Sequence, residues 1–198
     1  MSDNITHILP FLFELDALKT VERRSYIAGG LRPENSAEHS WHLAMACWAF
    51  AEALQLQVDI SKLLKMALVH DLGEIDAGDT FLYGAGRAEA HIKEREGVAR
   101  LAHHPANPIK DMLAVWDEQE NGDSIEARLL KVVDRILPLQ LNVESQGIAW
   151  RENGVSREQV LKMNGFIGEE FPTLLSWIEE QVELAVQAGW LKESKQPN

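Results

Sequence analysis

The sequence predicts an all-α fold, a single domain of about seven or eight helices, and three observations lead there. Apolar residues recur at helical spacing through most of the 198-residue chain. Alternating apolar and polar runs bounded by turn residues, the mark of strands, are nearly absent. Ser, Asp, Gly and Pro stand where such helices would begin and end. The length suits one core, and no repeat, linker or low-complexity stretch divides it.

The elements follow in order. A first helix covers about 5–19. The loop AGGLRPEN then leads to Ser36, read as the N-cap of a helix running to about Leu56. Asp59 caps the next helix, ISKLLKMALVHDL, which stops near Gly73. The Gly-rich stretch GEIDAGDTFLYGAG is a connection. Further helices lie near 87–102 and 108–120, a long one near 124–145, a shorter one after Ser156, and a last from Pro172 to about Ala188. The tail KESKQPN is expected to fray.

Composition narrows the function. A 45% hydrophobic and 25% charged chain is an ordinary globular one. Nineteen Lys and Arg against 31 Asp and Glu leave a formal charge of -12, which disfavours polymeric nucleic acid and anionic membranes as partners. A phosphate ester would have to be drawn in by a metal ion and a few local cations. Cys47 is alone and lies in the apolar run AMACWAFAEAL, so it reads as a buried, inert thiol in a reducing compartment. With no basic leader and no apolar run near the roughly 20 residues of a membrane span, the reading is cytoplasmic. There is no P-loop, dinucleotide fingerprint or cysteine nucleophile in a recognisable setting.

Chemistry enters through polar residues on apolar stripes. After Asp59, Ile60, Leu63, Leu64, Ala67 and Leu68 define a core face whose next member is Asp71. In the long helix, Leu130, Val133, Leu137 and Leu141 enclose Asp134. In the helix after Ser36, the stripe of Leu43, Ala46, Cys47, Phe50 and Leu54 extends back to His39. Two inward carboxylates need a cation or several donors, because an ionised carboxylate buried alone would neutralise. Adjacent His70 and Asp71 project about 100° apart on a helix, yet at its fraying end both can reach one ion, although each inward His or Asp taken alone is as readily a satisfied core or capping residue. Two imidazoles and two carboxylates suit manganese, iron, cobalt, nickel or zinc, with magnesium less natural.

Other polar and aromatic residues take plainer readings. His42 reads as a core histidine, with a supporting role behind a metal ligand as the minority alternative. His103 and His104 end a helix before Pro105, where the dipole accounts for them, and a second metal is the minor alternative. The tryptophans at 41, 48, 116, 150, 177 and 190 read as core or interface, and the acidic run WDEQENGDSIE as a solvated loop and helix start.

The ordered pieces AEHSWH, LVHDLGE and KVVDRI resemble the HD-domain metal-dependent phosphohydrolases over roughly residues 15–145, with the helices of 155–190 packing on that core. RPENSAEHSWHLA and ALVHDLGEIDAGDT are similar to the compact branch containing the bacterial 5'-deoxynucleotidase and its eukaryotic HD-domain-containing relatives. The resemblance implies one divalent ion on His39, His70, Asp71 and Asp134, with Glu74 and Asp79 lining the site. It implies removal of phosphate from deoxyribonucleoside 5'-monophosphates, commonly by a homodimer. Two aspartate ligands would leave the site roughly neutral, so the phosphate still needs a cation, and Arg23 or Arg24 is the local candidate. Relatives carry an Arg closely followed by an aromatic here; this chain reads ERRSYIAGG, with Tyr26 in place of the more familiar Trp. Glu74 would orient or deprotonate the attacking water, and Asp79 would position the sugar hydroxyl or protonate the leaving oxygen. The alternatives are hydrolysis of another phosphate ester, such as a cyclic nucleotide or nucleotide diphosphate, and a catalytically silent nucleotide-binding protein.

Overall fold

In the computed structural model, residues 2–84 and 86–193 are described, so most of the tail expected to fray, residues 194–198, lies outside them. The fold is all-α apart from one short hairpin. Helix α1 spans Ser2–Asp16 and passes into a 3-10 turn, Ala17–Thr20, that buries Leu18. Strands β1, Glu22–Tyr26, and β2, Pro33–Asn35, then pair. The hairpin turns at Gly29 and Gly30, whose φ of 86° and 71° are left-handed values that other residues reach only with strain. This pairing was not expected, because five residues opposite three are too few for an alternating signal.

Helix α2 is Ser36–Ala53, and its cap falls one residue earlier than the sequence reading placed it. Asn35 accepts from the backbone N–H of Glu38, and the Glu38 carboxylate accepts in return from Asn35 N–H at 3.1 Å, closing a capping box. Ser36 is thereby the first helical residue, its hydroxyl available for other work. Helix α3, Ile60–Val69, is capped by Asp59 as expected. It ends at Val69, before the expected stop near Gly73. The next residues form a tight turn of i to i+3 bonds, Leu72 to Val69 and Glu74 to Asp71, leading into the short α4, Glu74–Ala77, inside the stretch read as a connection. Then come α5 (Arg87–Ala102), α6 (Met112–Asn121), α7 (Ile125–Glu144), α8 (Ile148–Asn153, also unexpected), α9 (Arg157–Asn164), a second 3-10 turn (Gly165–Glu169) and α10 (Pro172–Gln187).

The described residues fall into two compact units. The first takes the chain up to Arg23, Asn35–Thr80 and Gly86–Val133. One core cluster there comprises Phe11, Leu18, Val69, Leu72, Val98, Leu101, Met112 and Trp116. Val69 and Leu72 sit on either side of the His70–Asp71 pair, so burying them anchors the turn that carries both polar residues. Gly73 and Gly97 mark a close crossing: a Cβ on Gly73 would lie 2.3 Å from the Glu94 carbonyl oxygen, and one on Gly97 2.9 Å from that of Gly73.

The second unit takes Arg24–Glu34, the described part of 81–85, and the chain from Asp134. There Val155, Val160, Ile167, Ile178, Val182, Ala185 and Leu191 are buried. Ser156 caps α9 through a capping box with Gln159, and Pro172 opens α10.

The helix faces are rotated from those the sequence drew. Leu68, assigned to the α3 core stripe, is 56% exposed, while Met66 is buried; on α2 the buried set is Ser36, His39, Ser40, Leu43, Ala44, Cys47 and Ala51, with Leu54 exposed. Cys47 is buried as expected. No described helix is long and apolar enough to cross a membrane.

Candidate metal centre

In the first unit, α2 and the turn after α3 bring together His39, His70 and Asp71, each offering a ligand atom within 4.8 Å of the others. His39 is fully buried at the first turns of α2, and its ring centroid lies 6.2 Å from that of His70. Asp71 divides its carboxylate: Oδ2 accepts from Arg23 Nη1 at 2.9 Å, and Oδ1 lies 3.3 Å from His70 Nε2. The other face of the His70 ring is fixed too, with Nδ1 3.1 Å from Gln119 Oε1, while Trp116 Nε1 donates to the His70 carbonyl at 3.1 Å.

Beside this group lies a nest of carboxylates around one guanidinium. Arg23 Nη1 is 4.0 Å from Glu74 Oε1 and 3.8 Å from Asp79 Oδ1, as well as bonded to Asp71. Glu74, at the N-terminus of α4, accepts from Ser36 Oγ at 2.5 Å. Burial first, then the neighbouring Asp71 charge and the more weakly acting Asp79, push the Glu74 carboxyl up to about 9, against the opposing pull of Arg23 and the Ser36 hydroxyl. Buried Asp71 and Glu74 and half-buried Asp79 face one guanidinium, the raised Glu74 carboxyl marks a shortage of positive charge around them, and two imidazoles beside them complete a donor set suited to a divalent cation. The residues present therefore fit a metal ion.

The strand decides which arginine reaches this nest. Successive residues of β1 alternate between faces, so Arg23 turns to the acids while Arg24 is exposed on the opposite side. Arg24 and Tyr26 belong to the second unit, where the Tyr26 hydroxyl donates to the Glu152 carboxylate at 3.2 Å. Asp134 also belongs to that unit; it is buried on α7 and accepts from Arg135 Nη1 at 3.0 Å.

His42, His103 and His104, which the sequence also singled out, make other contacts. His42 is half-buried, its ring stacked on that of exposed Trp41 rather than in the core. His103 Nδ1 lies 2.7 Å from the Ala99 carbonyl, and His104 accepts from Ala106 N–H, so both serve the end of α5. Sequence reasoning missed Ser36, Trp116 and Gln119 as members of the site. The last two lie in or beside the acidic run read as solvated, yet Met112, Trp116 and Gln119 recur at i, i+4 and i+7 and are buried.

Comparison with known proteins gives the family. A protein from Magnetospirillum magnetotacticum MS-1, described as a predicted metal-dependent phosphohydrolase, has a crystal structure that superposes with a TM-score of 0.81 at 34% identity, covering 96% of this chain and 98% of that one. A 5'-deoxynucleotidase of Danio rerio is 26% identical over 133 residues, 66% of this chain and 65% of the relative. One of Saccharomyces cerevisiae is 31% identical over 136 residues, 65% of this chain and 56% of the relative. The matched span is thus less than two thirds of either curated relative. The family model for the HD domain matches residues 15–175, more than three quarters of the sequence and the whole of the His39, His70, Asp71 and Glu74 arrangement, and the chain belongs to the HD-domain family.

Proposed function

We propose that this chain is a divalent-metal-dependent phosphohydrolase that removes phosphate from small nucleotides, with deoxyribonucleoside 5'-monophosphates as the leading class. The observation that carries the reading is the group of buried His39, half-buried His70 and buried Asp71 sharing Asp71 with the Arg23, Glu74 and Asp79 nest. The named activities of the relatives in yeast and zebrafish support the substrate class. Asp134 is assigned as the fourth ligand by its place in the motif KVVDRI and its burial on α7.

A bound divalent ion supplies Lewis acidity toward a phosphoryl oxygen and offsets the charge of the acids. The chain's own groups do the rest. Arg23, a fork of fixed N–H donors, grips the phosphate. Glu74, held at Oε2 by Ser36, orients the attacking water and, where a bound cation's charge offsets the burial that raises its carboxyl and leaves it ionised, takes the water's proton. Asp79 faces the leaving sugar oxygen and hands it a proton as the ester bond breaks. Burial of Asp71 and Glu74 keeps bulk water from competing for their contacts. A homodimer, on resemblance alone, and a cytoplasmic setting complete the reading.

The test is hydrolysis by chelator-stripped protein of a panel of deoxy- and ribonucleoside monophosphates, cyclic nucleotides and nucleotide diphosphates, followed by chromatography of the nucleotide products, with manganese, cobalt, magnesium or zinc restored singly. Turnover confined to deoxynucleotides supports the reading in full. Turnover only on cyclic nucleotides or nucleotide diphosphates moves the substrate class, and metal binding without turnover on any of them leaves a catalytically silent nucleotide-binding protein.

A further inference from the structure

Helix α6 grips His70 at two points. Trp116 and Gln119, one turn apart, reach the His70 carbonyl and ring respectively, and Glu120 follows on the same face. Gln119 is itself buried, and its Nε2 donates to Glu120 Oε1 at 2.8 Å. Glu120 is steadied in turn by His91, whose Nδ1 lies 3.2 Å from Oε2 and whose ring stacks on Trp116 with centroids 5.4 Å apart.

This array fixes where a proton sits. A carboxylate only accepts hydrogen bonds, so the Gln119 amide must present its N–H to Glu120 and its carbonyl oxygen to His70. A carbonyl oxygen has no proton to give, so His70 Nδ1 must carry one. In a neutral imidazole that leaves Nε2 with its lone pair, and Nε2 is the atom facing Asp71 Oδ1 at 3.3 Å. Two acceptors so placed are arranged as two ligands of one cation.

We propose that Gln119 is a positioning residue that locks His70 in its Nδ1–H tautomer, with Glu120 setting the sense of the Gln119 amide, so that Nε2 is presented to the metal. The inference rests on the reading of His70 as a ligand. It gives α6, which carries none of the motif residues, a direct part in metal affinity.

The test separates the lock from the metal reading by measuring each. Ring ¹⁵N shifts of His70 in the metal-free protein, identified by their loss in His70→Asn, report the tautomer; calorimetric titration with cobalt(II) alone reports affinity. The wild-type protein should show Nδ1–H. Gln119→Leu, similar in size but with no acceptor, should mix the tautomers and weaken cobalt binding about 10–100-fold, the usual range for losing the partner of a ligating histidine. Gln119→Glu, which keeps the acceptor, should restore Nδ1–H and most of the affinity. Should the leucine variant not fold, Glu120→Gln frees the amide to turn and should mix the tautomers alone. An Nε2–H ring in the wild type, or unchanged cobalt affinity in a folded Gln119→Leu, overturns the lock. A wild type that binds no cobalt yet shows Nδ1–H overturns the metal reading and leaves the lock standing.

Discussion

Arg23 donates from Nη1 to Oδ2 of Asp71 at 2.9 Å, so the proposed phosphate grip and a proposed metal ligand share a hydrogen bond before any substrate arrives. Arg23→Met should leave metal content intact but reduce kcat/KM by about 10²-fold or more, the scale of losing a charge-assisted pair to phosphate. Steady-state kinetics beside metal analysis checks this. A greater loss in Arg24→Met than in Arg23→Met would reverse the choice between the two.

Glu74 is held by Ser36 at 2.5 Å and stands beside the metal group without belonging to it. Glu74→Gln should therefore retain the ion while slowing turnover about 10²–10⁴-fold, the usual contribution of a positioned proton acceptor. Single-turnover phosphate release on metal-loaded protein reads it, and wild-type rates in the variant would remove Glu74 from the chemistry.

Asp71→Ala and Asp134→Ala should each abolish metal binding and activity, since each removes a proposed anionic ligand of a mixed nitrogen and oxygen set. Metal analysis after dialysis decides: full occupancy in either variant strikes that residue from the ligand set.

Gly73 follows the His70–Asp71 turn where α5 passes closely, and a Cβ there would meet the Glu94 carbonyl oxygen at 2.3 Å. Gly73→Ala must push α5 away from the turn, costing about 1–3 kcal/mol as overpacking does, or roughly 2–12 °C in Tm for a chain of this length. Metal affinity should fall with it, because Asp71 moves too. A variant melting with the wild type would mean that the crossing yields freely.

Glu126 sits near the start of α7, and its Oε1 accepts from Asp59 N–H at 2.8 Å while Lys62 Nζ lies 3.5 Å from Oε2. Burial alone would raise this carboxyl, but the Asp59 and Glu126 backbone N–H groups and the Lys62 charge outweigh it, holding it below its ordinary 4.5. A depressed carboxyl stabilises the fold above its unfolded value and loses that contribution as pH falls through the folded one. Glu126→Gln should therefore cost about 1 kcal/mol at pH 7, and the difference should shrink steadily below pH 4.5. Thermal melts of both proteins between pH 7 and pH 3 test it, and a gap that widens on acidification would refute the assignment.

What the sequence disclosed follows from where its periodicity was strong. His39 and Asp71 were legible because each interrupts an apolar stripe with a polar side chain, and the structure buries both. The family was legible because three short motifs keep their order across separate helices. Leu68 was misplaced because an apolar residue can satisfy a helical repeat and still face solvent when the packed face is rotated by part of a turn. Gln119 was hidden by its company: three acidic residues and an asparagine fill the other four positions from 117 to 121, and only packing against the His70 turn buries one polar member of so charged a run. The hairpin escaped because pairing between segments of five and three residues leaves almost no local signature.

The alternation along β1 makes the arginine contact a matter of parity. Neighbouring positions there face opposite ways, so deleting one residue ahead of Arg23 would bring Arg24 to the inward position instead of emptying it. The doublet thus carries a spare: a single-step slip, which elsewhere in a strand would replace a functional side chain with an unrelated one, here delivers the same guanidinium from the adjacent residue. Between two neighbouring alignments of the hairpin, the chemistry offered to the acids stays constant although the residue offering it changes.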